Sequence, residues 1–458
     1  MKFDGALSLR VSRGLALTLA SVVGVACSTN NPAPDASQDA QVEAALDAAA
    51  DRASDVQGDA VLDSPSDAQD AETDATAAVD AGVDALDEGA SDAAVDAAAD
   101  AAPTPLLLLG ATGNAAMPAY GSSFASGSWA TVTALTGSDC YGPGGGGVTV
   151  MRDGRGLAVI RSNGTALPYS AVWSAGRWSG ATATGGTLSS FVSGPVATAL
   201  GAAYVRQSGS GASNLRVDTW ASATSSWTSG ATLELLGDNR GVPAVAVTES
   251  GQQLVIDGDS RGGYRWLVGG GATWSALTTV GGAVVPAFDT AAPAVAAVGR
   301  AGVDEIVAAF LVEGATRSSA RIAWASFRAG AWSAVSNLAS DVVASRGVTA
   351  PFVLAPLRDG RVALAYLTAS SGVSVGFYDG ASWTAFRAVA GVTSIPQASP
   401  FGLARGADAT AVLELVYLDT ARRLRHTRLT NEPNFTWSTP STIDSARQWL
   451  SVWIAAGL

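Results

Sequence analysis

The sequence predicts an all-β domain assembled from repeats, on three observations. Tryptophan returns at a near-constant interval through residues 105–458. Each interval divides into four short apolar or alternating runs closed by turn residues. No stretch there carries a sustained 3.6-residue apolar stripe with helix caps.

Aligned on the tryptophan that follows a turn, the copies read "GSWATVTAL" (Trp129), "GRWSGATAT" (Trp178), "SSWTSGATL" (Trp227), "ATWSALTTV" (Trp274), "GAWSAVSNL" (Trp332), "ASWTAFRAV" (Trp383) and "FTWSTPSTI" (Trp437). They are separated by 49, 49, 47, 58, 51 and 54 residues. Residues 350–390 show the internal division: "APFVLAPLRDG", "RVALAYLTAS", "GVSVGFYDG" and "SWTAFRAVA". Asp-Gly and Ser-Gly turns separate runs of Val, Leu, Ala, Tyr and Phe that pack well on a pleated surface. Four strands in roughly 50 residues is the size of a β-propeller blade.

The elements of a blade follow in order. The first strand is small and apolar ("PAVAV", "APAVAAV", "APFVLA"), as expected where inner strands crowd around an axis. Trp173, Trp220, Trp266 and Trp324 fall on third strands, and the aligned tryptophans open the fourth. The two are expected to face each other across the outer hairpin and to seal the gap between blades. Each buried indole removes about 150–250 Å² from water, worth several kcal/mol.

The two ends of the domain are complementary. Before Trp129 only three strands fit, "PLLLLGATG", "MPAYGSSFASG" and "SWATVTAL"; after Trp437 remains "SARQWLSVWIAAGL", which reads as one innermost strand. Joined, they complete a seventh blade and leave no open sheet edge. Seven closed blades is the prediction, with six as the alternative if the terminal pieces do not pair.

Residues 1–104 are a different polymer. "MKFDGALSLRVSR" is basic, "GLALTLASVVGVA" is apolar, and the run stops at Cys27, the pattern of a secretory signal over residues 1–26. "GVAC" (24–27) resembles a bacterial lipobox, which implies lipidation of Cys27; Gly24 departs from the aliphatic residue usual at its position. Residues 27–104 then read as an acidic tether. From Ser28 on it holds 19 Asp and Glu against the single base Arg52, with no aromatic residue. Carboxylates every three or four residues repel along a helix, and too little apolar surface exists to offset folding entropy. The expected state is an extended, disordered spacer. The resemblance implies a membrane partner through the lipid anchor, at the outer membrane, with secretion as the alternative.

The tether also accounts for the acidity of the whole chain. The formal net charge is −13, yet residues 105–458 alone carry about +3. Their arginines are scattered, so no basic stripe for nucleic acid is visible. Cys140 is the domain's single cysteine, and His426 the chain's single histidine, with no motif pairing them; a buried or loop thiol is expected.

The blade pattern resembles bacterial surface propellers of the lectin and sialidase (BNR) types over residues 105–458. That resemblance implies a glycan ligand, or an enzyme if the sialidase motifs are kept. They are not: "FYDGASW" (377–383) has Asp379 and Gly380 adjacent where an Asp-box separates them. A lectin would repeat a basic, acidic and aromatic set between blades. Arg216, Arg265, Arg321 and Arg425 recur on third strands, but at varying distance from the strand's tryptophan. Asp257 and Asp259 in "DGDSRGG" (257–263) and the run "GPGGGG" (142–147) both read as loops, lacking the rest of a calcium or phosphate motif. The reading is therefore of a monomeric surface binding protein for a glycan or protein, without predicted catalytic residues, metal or cofactor. A polysaccharide hydrolase or lyase, and an envelope assembly protein, are the alternatives.

Overall fold

The computed structural model describes residues 105–457, apart from 113–117, 141–144, 186–188, 209–213, 235–241, 260–262, 271–272, 281–292, 300–301, 314–318, 344–350 and 397–400. The signal segment, Cys27 and the acidic tether lie outside the described residues. Every regular element described is a β-strand, and the strands form seven separate antiparallel sheets. These are the seven predicted blades, so the six-blade alternative falls.

Blade 1 is built from both ends of the domain. Ser451–Ala456 is its innermost strand and pairs in register with Leu106–Ala111, which pairs onward with Ala119–Ala125. Blades 2 to 7 occupy 146–183, 189–234, 244–279, 294–339, 352–388 and 402–444. The innermost strands touch their neighbours around a closed circuit. It runs from Ser451–Ala456 through Gly146–Val150, Val196–Thr198, Ala244–Val247, Ala294–Ala297, Phe352–Pro356 and Gly402–Arg405 back to the start. Crowding at this axis explains the small residues of the inner strands. A Cβ at Gly147 would sit 2.6 Å from the Cα of Gly194 on the next blade. The glycine run is thus partly strand, Gly146–Val150, and not wholly the loop expected from sequence. "DGDSRGG" differs likewise. Asp257 and Asp259 lie on the strand Gln253–Asp259, with Asp257 buried and opposite Arg265.

Turn chemistry sets the outer hairpins. Ser126–Gly127, Ala175–Gly176 and Ala329–Gly330 all have positive φ at both residues, as a two-residue hairpin turn matched to strand twist requires. A turn of that size pairs residues five apart: Phe124 with Trp129, Trp173 with Trp178, Phe327 with Trp332. The residue after the tryptophan explains the recurring "WS" and "WT". In blades 2, 4, 5 and 6 its hydroxyl accepts the third strand's amide N–H. Val172 donates to Ser179 at 2.9 Å, Val268 to Ser275 at 3.1 Å, Ser326 to Ser333 at 2.9 Å and Phe377 to Thr384 at 3.0 Å. The side chain replaces a ladder carbonyl there, and the outermost strand continues as a second short segment in blades 1, 2, 4, 5 and 7.

The predicted tryptophan pairing holds in two blades and is corrected in two. Trp173 faces Trp178 and Trp220 faces Trp227. Trp266 and Trp324 lie eight residues before their partners, and the five-residue rule sets Gly269 and Phe327 opposite Trp274 and Trp332 instead. The earlier pair reaches into the next blade: Trp266 packs edge-on against Trp332 at 5.9 Å, and Trp324 against Trp383 at 5.8 Å.

The sealing role itself is general. Trp129 meets His426 of blade 7 at 5.3 Å, and Trp227 donates its indole N–H to Ser170 of blade 2. Trp178 lies where Gly121 of blade 1 lacks a side chain. The remaining two join apolar clusters that extend into the preceding blade, Trp274 the one holding Val205, Leu215 and Val217 of blade 3 and Trp437 the one holding Val375 and Phe377 of blade 6.

The seam between blades 7 and 1 is locked by polar groups as well. Trp449 is fully buried, donates to Asp444 at 3.1 Å, and lies where a Cβ on Gly110 would approach to 2.5 Å. Arg447 pairs with Asp444 at 3.0 Å and stacks over Tyr120. Arg428 of blade 7 stacks over Phe124 of blade 1 while bonding Glu414 and Asp408.

Candidate functional site

Two concave features stand out, one on the axis and one between blades. The axial feature is a cavity of about 570 Å³ lined by the innermost strands of all seven blades. Its walls are mainly Val, Ala, Leu and Pro with Thr149, Thr198 and Thr248, and its charged lining residues are Arg152, Glu249, Arg358 and Arg405. The opposite end of the axis is lined by glycine and apolar residues with Ser193, including Phe352, Phe401 and Trp453.

The arginines come from equivalent places. Arg152 and Arg358 sit in the turns "MRDGR" (151–155) and "LRDGR" (357–361), which link the first and second strands of blades 2 and 6. The second arginine of each motif is a latch. Arg155 bonds Asp153 and reaches the blade 3 hairpin at Ser225 and the carbonyl of Ser222. Arg361 bonds Asp359 and reaches Glu432 on blade 7 at 2.5 Å. Burial opposes ionisation of Asp153 and Asp359, but hydrogen bonds from Arg155 and Arg361 hold both below the ordinary carboxylate value. The first arginine of each motif is left to the axis. Arg405 ends the inner strand of blade 7, is only 7% exposed, and its Nε has no hydrogen-bond partner. Burial, and then the like charge of Arg358, lower its pKa to about 10.

The second feature is a cleft of about 490 Å³ at the junction of blades 5 and 6. The chain leaving blade 5 contributes Leu338 to Asp341, and blade 6 contributes Tyr366 and Trp383 to Phe386. Trp383 and Phe386 are stacked, 5.9 Å apart and 25° from parallel. Tyr366 packs edge-on against Phe386 and donates its hydroxyl to Asp341 at 2.7 Å. The cleft thus offers apolar ring faces beside a carboxylate.

The residues singled out from sequence go elsewhere. Cys140 is buried in the core between blades 1 and 2, where burial and then Asp139 raise the thiol to about 12. His426 is buried on blade 7 and bonds Glu414, so the two do not meet. Asp379 accepts the amides of Ala381 and Ser382 and shapes the turn before Trp383. Arg216 and Arg425 bond their own outer strands, at Thr232 and at the Pro440 carbonyl. Arg216, Arg265 and Arg425 share a register opposite Thr232, Thr279 and Thr442, while Arg321 lies opposite Val312 of the second strand. A second buried network, Arg206 with Asp218, Tyr204 and Ser229, belongs to blade 3 and reaches Thr184, at the end of blade 2, through the Tyr204 hydroxyl. Among the described residues no cluster of three or more His, Cys, Asp or Glu is placed to hold a metal. Neither candidate feature was found from sequence, although "RDGR" recurring at 152–155 and 358–361 was there to be seen.

No protein-family model matches the chain, and no curated protein does. Solved structures share the fold. The chain is similar to the BP39L lectin from Burkholderia pseudomallei, with TM-score 0.56 and 11% identity over 75% of this chain and 96% of that one. It is also similar to a putative 6-phosphogluconolactonase from Bacteroides uniformis, with TM-score 0.50 and 13% identity over 77% and 99%. A fucose-specific lectin from Aleuria aurantia aligns at TM-score 0.40 and 11% identity over 62% and 89%, too remote to bear weight. At these identities the likeness establishes the fold.

Proposed function

We propose that this protein is a carbohydrate-binding propeller, tethered to the outer membrane through lipidated Cys27 and held away from it by the acidic segment. The observation that carries the reading is the cleft between blades 5 and 6. A sugar ring has C–H faces that pack on aromatic rings and hydroxyls that donate to carboxylates. Trp383 and Phe386, both only partly buried, supply the first kind of partner and Asp341 the second. The fold likeness to a bacterial lectin supports the same reading. Binding, not turnover, is the proposed activity.

A glycan array probed with the full-length protein tests it, with captured glycans checked for cleavage. The cleft is blocked by Ala385→Arg, which places a long side chain at an exposed lining position without touching the core. We expect at least about tenfold weaker capture at unchanged thermal stability. Unaltered capture by this variant removes the cleft from the reading. Failure to capture any glycan refutes carbohydrate binding, and release of shortened product replaces it with an enzyme.

A further inference from the structure

The three axial arginines form a second feature that the proposed cleft does not use. Arg358, Arg405 and Arg152 come from blades 6, 7 and 2, and only blade 1, ending in Ala455 and Ala456, lies between the last two. They therefore form an arc on one side of the cavity. The one lining carboxylate, Glu249, comes from blade 4 across the ring. Nearby acids are already engaged: Asp153 with Arg155, Asp359 with Arg361, and Asp408 with Arg428 and Thr410. Arg358 makes a 3.4 Å contact to the carbonyl of Ala407, and no ion pair forms to Arg152, Arg358 or Arg405 among the described residues.

A buried guanidinium without a counter-charge is costly, because desolvation is not repaid by attraction. Placing it beside a second like charge raises that cost. An arrangement of this kind is favourable when an anion completes it, and the guanidinium fork suits the paired oxygens of a carboxylate or phosphate. The cavity volume falls in the range of small-molecule sites, and the Val, Ala and Leu walls suit the carbon skeleton of a small ligand.

We propose that the axial cavity is a binding site for a small oxyanion-bearing ligand, with Arg405 as its principal contact and Arg358 and Arg152 completing the cradle. The site is separate from the inter-blade cleft, and its ligand is recognised by charge.

Calorimetric titration and thermal melting of the full-length protein test this, with glucuronate, glucose 6-phosphate and glucose as probes. We expect at least one acidic sugar to bind and raise the melting temperature, with no response to glucose. Which acid binds separates a carboxylate site from a phosphate site. Arg405→Leu should reduce affinity at least about tenfold, while the ligand-free protein melts at the same or a higher temperature. Ala385→Arg should leave this binding intact, which separates the site from the glycan cleft. No response to either acid overturns the proposal, as does equal binding of glucose. Lower ligand-free stability of Arg405→Leu also overturns it, since Arg405 would then serve the fold.

Discussion

Removing the last twelve residues, 447–458, should abolish folding of the whole domain, because that segment closes the ring. The magnitude follows from what is buried. Trp449 is fully buried, and a tryptophan truncated in a core costs about 3–5 kcal/mol. Val452 and Ile454 are buried too, and losing each costs about 2–4 kcal/mol more. The six-residue ladder to Leu106–Ala111 also goes, exposing four leucines at 106–109 that are now fully buried. The total, about 10 kcal/mol, matches the entire stability of an ordinary domain. The truncated protein should therefore be recovered aggregated, through the new sheet edge. Trp449→Ala gives the graded version: about 3–5 kcal/mol lower stability in urea unfolding, with a monomeric elution volume retained. A truncated chain that stays monomeric with an unchanged melting temperature would refute ring closure as a source of stability. A Trp449→Ala variant within about 1 kcal/mol of the parent would show the seam is not tightly packed.

Two further outcomes are expected. Cys27→Ser should move the protein from the membrane to the aqueous phase in detergent partition, and continued membrane association would rule out lipidation. Stability should decline as pH falls below about 4. Asp153, Asp359 and Asp408 are held below their ordinary value in the folded state, so their contribution is complete above the unfolded pKa and is lost as each protonates on the way down. Urea midpoints measured from pH 6 to pH 2.5 check the sign, and a midpoint that rises on acidification contradicts it.

Much of the fold was legible because a propeller repeats its physics. The seven tryptophans, the small inner strands and the single strand left over after Trp437 are each local signals. Copied along the chain, they leave little choice of architecture. Leu106–Ala111 accepting Ser451–Ala456 is the clearest case, since each piece is uninterpretable alone and the pair completes a count. Side-chain partners were less legible. An interval of eight looked like a cross-strand pair at Trp266 and Trp324, but hairpin register puts partners five apart when the turn has two residues.

The amino-acid order by itself determined the repeat and the closure, because these depend on apolar period and turn residues along the chain. Only the tertiary structure decided where charge and aromatic surface converge. Arg152, Arg358 and Arg405 are far apart in sequence and unremarkable singly. They share one cavity because the inner strands of blades 2, 6 and 7 end at the same level on one axis. Asp341 and Phe386 likewise meet because blade 6 folds back beside the chain leaving blade 5. Contacts set by the ring bring together residues that no local pattern links, and both candidate sites are of that kind.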